Sequence, residues 1–184
     1  LHNINKAYQI IDDGITMGER FLILADVDTD GISAGAIMTR YLMKAGADAD
    51  VTINEGKSHG LDTFDISILK NYDIFIVVDS LNNNPEIYRR VTDTGCKLIV
   101  LDHHIPSQEL LESDVPFVLV SSAVDYPNPE LSGAGVVLKM CLYLDEMNLT
   151  DYASDLYWLA AAGIVGDMCS MASQENRFIV NKGL

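Results

Sequence analysis

Cysteine is scarce in this chain, with 3 in 184 residues. Cys96, Cys141 and Cys169 show no CxxC-type spacing, so neither a disulfide framework nor a zinc knuckle is indicated, and they read as reduced packing residues. Basic residues are few as well. With 12 Lys and Arg against 27 Asp and Glu, the formal net charge is −15, a field that repels nucleic acid and anionic membrane surfaces and counts against a passive nucleic-acid clamp. No stretch approaches the roughly 18 to 20 uninterrupted apolar residues of a membrane span, and Leu1-His2-Asn3-Ile4 does not show the basic-then-apolar pattern of a signal segment. The chain therefore reads as soluble and cytoplasmic, with no membrane partner. There is no internal repeat and no low-complexity tract.

The acidic excess leaves one class of enzyme open. Carboxylates gathered to hold divalent cations add negative charge to the bare sequence, and bound cations offset it. With 48% hydrophobic residues, the chain can bury the core of one compact domain over 1–184. Ile4, Ala7, Tyr8, Ile11 and Ile15 recur at helical spacing within 2–18, and Gly18 stops that helix. FLILA (21–25), ADVTIN (49–54), DIFIVVD (73–79), KLIVLD (97–102) and PFVLV (116–120) read as strands; helices are expected at 32–46 and about 84–93. After residue 131 the pattern turns helical, at 134–148, about 151–165 and 174–182. The expected fold class is α/β: an open five-stranded, mostly parallel sheet with helices on both faces, followed by a helical C-terminal part.

Three of these strands end in acids or imidazoles: Asp26, Asp28 and Asp30 after the first, Asp79 after the third, and Asp102, His103 and His104 after the fourth. A spatial order 2-1-3-4-5 would set strands one, three and four side by side, bringing these groups to the crevice at the carboxyl ends of the strands. Asp167, after an apolar helix, could join them. Carboxylates mixed with one or two imidazoles suit Mn²⁺ or Mg²⁺ better than structural zinc, and a bridged pair of ions is the arrangement for in-line attack on phosphorus.

Each element also has a plainer reading. DVDTDG alone is a solvated turn, and it lacks the Glu an EF-hand needs. Asp79 alone is a helix N-cap, and His103 and His104 alone are polar groups closing a strand. In LSGAGVVLKM, Ser132 could cap a helix whose free N–H groups face an anion, or the stretch could be an ordinary Gly-rich helix start. The plain readings weaken together, because three buried strands would each have to end this way by chance.

ADVDTDGISAGAI, VVDS, VLDHHIP, LSGAGVVLKM, LAAAGIVGDM and ENRFIVNKGL, in this order, resemble the DHH phosphoesterase superfamily. Within it they look most like the catalytic domain of the RecJ-like exonucleases specific for single-stranded DNA, over about residues 6–184. The resemblance implies two divalent ions, Mn²⁺ ahead of Mg²⁺. Asp28 and Asp30 would each hold one, Asp79 would bridge them, and His103 and Asp167 would complete one shell. Asp102 would orient an imidazole, and His104 would face the phosphate as polariser or proton donor. Ser132, Gly133, Ala134, Gly135 and Arg177 would contact nucleotide phosphates. The implied activity is 5′-to-3′ hydrolysis of single-stranded DNA or a short oligonucleotide to 5′-mononucleotides, with tyrosines stacking unpaired bases and replication or repair proteins as partners. Rival readings are an oligonucleotide or cyclic-dinucleotide phosphodiesterase and a non-catalytic replication scaffold on the same fold.

Two positions depart from the family pattern. Leu24 stands where many members have a histidine, so Asp26 or water would have to serve the first ion. Ser80-Leu81-Asn82-Asn83-Asn84 replaces the usual Cys-Gly after Asp79. RecJ-like proteins also continue into a DHH-associated domain and an OB-type module, which are not in this sequence.

Overall fold

The computed structural model describes residues 1–53 and 61–184. In chain order the elements are α1 (Ile4–Met17), β1 (Arg20–Ala25), α2 (Thr29–Lys44), β2 (Asp48–Ile53), β3 (Ile74–Val78), α3 (Pro85–Thr92), β4 (Lys97–Asp102), α4 (Gln108–Leu111), β5 (Phe117–Ser121), α5 (Gly133–Asn148), α6 (Tyr157–Gly166) and α7 (Gln174–Gly183). The five strands form one sheet in the order β2-β1-β3-β4-β5, and every pairing is parallel. The register sets Ala25 beside Val78 and Val78 beside Leu101, so the carboxyl ends of β1, β3 and β4 finish level.

The apolar runs of β1, β3 and β4 are buried on both faces, as strands covered by helices on each side must be. Alternate residues feed two cores. Phe21, Ile23, Ala25, Ile76, Val78, Ile99 and Leu101 pack with α1, α2 and α5; Leu22, Leu24, Phe75, Val77 and Val100 pack with α3 and α4. Leu24 is therefore a core side chain on the second face, fully buried among Leu22, Phe75 and Val77, and it explains why no ligand is supplied from that position.

The helix expected from residue 32 begins at Thr29, because Asp28 caps it: Oδ1 accepts from the Gly31 N–H at 2.9 Å. Asp30, expected in a turn, thus lies in the first turn of α2. The helix expected from about 151 begins only at Tyr157, after a 3₁₀ turn at Ser154–Leu156. The buried Asp145 carboxylate accounts for the delay, accepting from Thr150 Oγ1 at 2.6 Å and from the Ala153 N–H at 2.7 Å, which fixes that connection in a non-helical path. The 3₁₀ turns at Leu61–Thr63 and Ile66–Asn71 and the single turn α4 were not legible beforehand. Asn54, the expected last residue of the second strand, lies outside the described residues. Among the described residues, no helix is long and apolar enough to cross a membrane.

Candidate active site

In this strand order the chain reverses direction across the sheet between β1 and β3, and the crevice beyond their carboxyl ends is where open α/β sheets bind ligands. Asp79 is the first residue past β3. Its φ of +53° is a left-handed conformation that Asp tolerates better than most residues. The bend turns its carboxylate inward, 2% exposed. His103, the first residue past β4, meets it there, with Nε2 3.3 Å from Asp79 Oδ1. The same Nε2 lies 4.0 Å from Asp30 Oδ2 and 4.0 Å from Asp167 Oδ2. One imidazole nitrogen thus stands at the meeting point of acids from β3, the start of α2 and the end of α6.

Asp79 Oδ1 has no hydrogen-bond partner among the described residues, since the 3.3 Å approach of His103 does not have hydrogen-bond geometry. Burial, with the Asp30 and Asp102 carboxylates nearby, pushes this carboxyl up to about 7, and the neighbouring imidazole offsets that only in part. Burial also raises Asp30, against the Ser132 hydroxyl and the N–H groups of Ala134 and Gly133. A buried, unpartnered carboxylate oxygen beside other acids is costly unless a cation shares the space. Among the described residues, two donor groups have the spacing to hold one: Asp30, His103 and Asp167, and Asp79 with His103 and His104.

In the second group His104 has another task. Its Nδ1 is 2.7 Å from Asp102 Oδ1, a shorter contact than the 3.9 Å to Asp79. Asp102 is fully buried, and also accepts from the backbone N–H groups of His103, His104 and Leu81, each at 2.7 Å. The Asp102 hydrogen bond raises His104 to about 9 despite burial. At Asp102, burial pushes upward but the His104 contact outweighs it, so the carboxyl stays below its ordinary value. Asp102 therefore orients His104 and keeps it charged, while His104, 57% exposed, presents its other edge to solvent.

The other expected site residues are placed as follows. Asp26 is buried at the end of β1, packed beneath Gly31, and Asp28 is the exposed cap of α2; among the described residues neither belongs to the two donor groups. Ser132 caps α5, its Oγ accepting from the Gly135 N–H at 3.2 Å. The N–H groups of Gly133 and Ala134, expected to face a substrate phosphate, donate instead to Asp30 at 2.7 and 3.1 Å. The anion at this helix N-terminus is the chain's own carboxylate. Arg177 Nη1 is bound to the carbonyls of Met171 and Ala172, so it fastens the 168–173 connection and does not line the cleft beside Asp79. That cleft, about 610 Å³, is lined by Asp79, Ser80, Leu81, Asn83, His103, His104, Ile105 and Pro129. No tyrosine is among them.

Three residues escaped the sequence reading. Cys169 is not only a packing residue, because its thiol donates to Asp167 Oδ2 at 3.2 Å. Ser80, next to Asp79, is buried, and its Oγ has no hydrogen-bond partner among the described residues. Gly163 sits where any Cβ would collide with Asp30 Oδ1; a glycine inside the small-residue run AAAG was its one available signal.

The chain is similar to known proteins over its whole length. YorK, a candidate single-strand DNA-specific exonuclease from the SPbeta prophage of Bacillus subtilis (strain 168), is 27% identical over 186 residues, covering 100% of this chain and 32% of its own length. The single-stranded-DNA-specific exonuclease RecJ of Thermus thermophilus is 28% identical over 192 residues, covering 100% and 28%. A crystal structure of exonuclease RecJ bound to manganese superposes with a TM-score of 0.89 at 27% identity, over 100% of this chain and 47% of that one. The chain thus spans about a third or less of the length of these curated relatives. The model of the DHH family, N-terminal domain, matches residues 20–164, and with the strand-end acids and the Asp102-His103-His104 run in place, the chain belongs to the DHH family.

Proposed function

We propose that residues 1–184 serve as the catalytic domain of a divalent-metal-dependent phosphodiesterase, acting on single-stranded DNA from the 5′ end and releasing 5′-mononucleotides. The observation that carries this reading is the convergence of Asp79, Asp30 and Asp167 on His103 Nε2, with Asp79 Oδ1 buried and unpartnered. The manganese in the RecJ structure and the exonuclease names of the relatives support it. Asp30, Asp79, His103 and Asp167 would hold the cations, with Asp28 the further acid to consider at the rim. Bound divalent cations supply a lowered pKa for attacking water and neutralise charge on a phosphate.

The chain's own groups do the rest. Asp102 fixes the ring of His104 and keeps it protonated at neutral pH. A charged imidazole at the mouth of the cleft can donate to a non-bridging phosphate oxygen or to the departing 3′ oxygen. The backbone of Gly133 and Ala134 holds the Asp30 carboxylate in one orientation, so the acids are placed before any substrate arrives.

The test is digestion of 5′-labelled and 3′-labelled single strands in Mn²⁺ by the wild type and Asp79→Asn. Asparagine tolerates the left-handed conformation at this position, so the variant keeps the fold. Release of labelled mononucleotide from the 5′ end, reduced by about 100-fold or more in the variant, is the expected result. Equal cleavage by both proteins would remove Asp79 from the chemistry. Cleavage confined to dinucleotides would favour the short-oligonucleotide activity, and no hydrolysis by the wild type would favour the scaffold reading.

A further inference from the structure

We infer that Leu81, Ile105 and Pro129 form an apolar wall that holds the nucleobase of the nucleotide whose phosphate lies at His103 and His104. This deepens the phosphodiesterase reading above and rests on it. Ile105 follows directly on His104 and is 80% exposed. A lone surface isoleucine needs no explanation, but this one lines the same cleft as Asp79, His103 and His104, with Leu81 and the exposed Pro129 beside it. The cleft thus joins a phosphate-directed set of groups to an apolar set. That is the division within a nucleotide.

Two of the three wall residues, Leu81 and Ile105, sit on loops that are bonded together. Asn83 Oδ1 accepts from the Ser107 N–H at 2.6 Å, Asn83 Nδ2 donates to the Ile105 carbonyl at 3.5 Å, and Ser107 Oγ donates to the Asn83 carbonyl at 3.4 Å. On the other side, the Leu81 N–H is held by Asp102 Oδ2 at 2.7 Å. The loops after β3 and β4 are therefore pinned to each other and to the carboxylate that orients His104. Of the asparagines that depart from the family pattern, Asn83 makes this fastening. Because Asn83 bonds to the neighbouring loop and Leu81, Ile105 and Pro129 carry no side-chain donors or acceptors, the wall itself would hold a base by shape and apolar contact, with little discrimination among the four bases.

Equilibrium binding of thymidine 5′-monophosphate and of 2-deoxyribose 5-phosphate, both in Mn²⁺, tests this on wild type, Ile105→Ser and Ile105→Leu. The wild type should hold the nucleotide about tenfold more tightly than the base-less sugar phosphate. Ile105→Ser should lose most of that preference with its sugar-phosphate affinity unchanged, and Ile105→Leu should keep it. Equal affinity for the two ligands in the wild type, absence of binding to either, or an Ile105→Ser variant that keeps the preference or weakens both ligands alike would overturn the wall. Strand cleavage is measured separately, so a protein that binds the base through Ile105 yet cuts nothing would leave the wall standing and remove the nuclease reading.

Discussion

At the residue scale, the site depends on places where side chains are missing. A Cβ built on Gly133 would stand 2.5 Å from Asp79 Oδ1 and 2.7 Å from Asp79 Cβ. Only a bare backbone allows the helix α5 to begin against that carboxylate while its N–H groups reach Asp30. Gly133→Ala must therefore displace one acid or the other, and manganese affinity is expected to fall by about 10- to 100-fold. Calorimetric titration, with circular dichroism as the check on folding, reads this directly; unaltered affinity would show that the close approach is incidental. The strand-end acids were legible because each interrupts a run of apolar residues that has no other reason to stop. Gly163 was not legible in the same way. A glycine inside a helix costs about 1 kcal/mol relative to alanine, yet what requires it is Asp30, which only the packing of α6 on α2 brings alongside. The SGAG stretch shows the limit from the other direction: the sequence identified a helix start suited to an anion, but which anion occupies it is a tertiary fact.

At the element scale, α7 is docked by its first turn. Glu175 accepts from the Tyr126 hydroxyl at 2.7 Å and from Asn128 Nδ2 at 3.0 Å, and pairs with Lys139 at 2.9 Å. Asn176, fully buried, donates to the carbonyls of Glu130 and Ser170. The ENR motif is thus a clip between α7 and the connections at 121–132 and 168–173, which explains why Arg177 binds carbonyls where a phosphate was expected. Burial would raise the Glu175 carboxyl, but the hydrogen bonds from Tyr126 and Asn128 and the pairing with Lys139 outweigh it and hold it low. A carboxylate depressed by folding contributes stability that is present above its unfolded value of 4.5 and is lost as pH falls through the lower folded value. Glu175→Gln is accordingly expected to be less stable than wild type by about 1–3 kcal/mol at neutral pH. The gap should close as pH drops below that unfolded value. Denaturant unfolding over a pH series measures it, and a gap independent of pH would mean the side chain contributes shape and not charge. Strand positions and order were legible here because apolar runs and βαβ handedness leave few alternatives; helix starts at Thr29 and Tyr157 were not, because Asp28 and Asp145 set them through hydrogen bonds that periodicity does not register.

At the scale of the whole molecule, the net charge of −15 opposes the anionic strand that the proposed function assigns to the site. Many of the basic side chains are committed elsewhere: Arg20 to Asp48 and Asp50, Lys44 to Asp155, Arg89 to Asp114, Lys97 to Glu19 and Lys139 to Glu175. Lys182 lies over the Tyr157 ring and Arg177 on backbone carbonyls. With seven of the 12 Lys and Arg engaged in this way, binding under the proposed function is expected to rest mainly on the cations and the cleft wall, both of which would act on one or two nucleotides. Each phosphate neutralised on a single strand adds about 0.7 to the slope of log affinity against log salt. This chain, with Mn²⁺ held constant, is expected to show a slope no steeper than about −1.4, equivalent to two phosphates. Lengthening the strand beyond a few nucleotides should gain little, and cleavage should be weak and of low processivity. Fluorescence anisotropy with a labelled strand across a series of potassium chloride concentrations gives the number. A slope near −3 or steeper would mean that basic side chains contact several phosphates, and would locate strand binding outside the cleft.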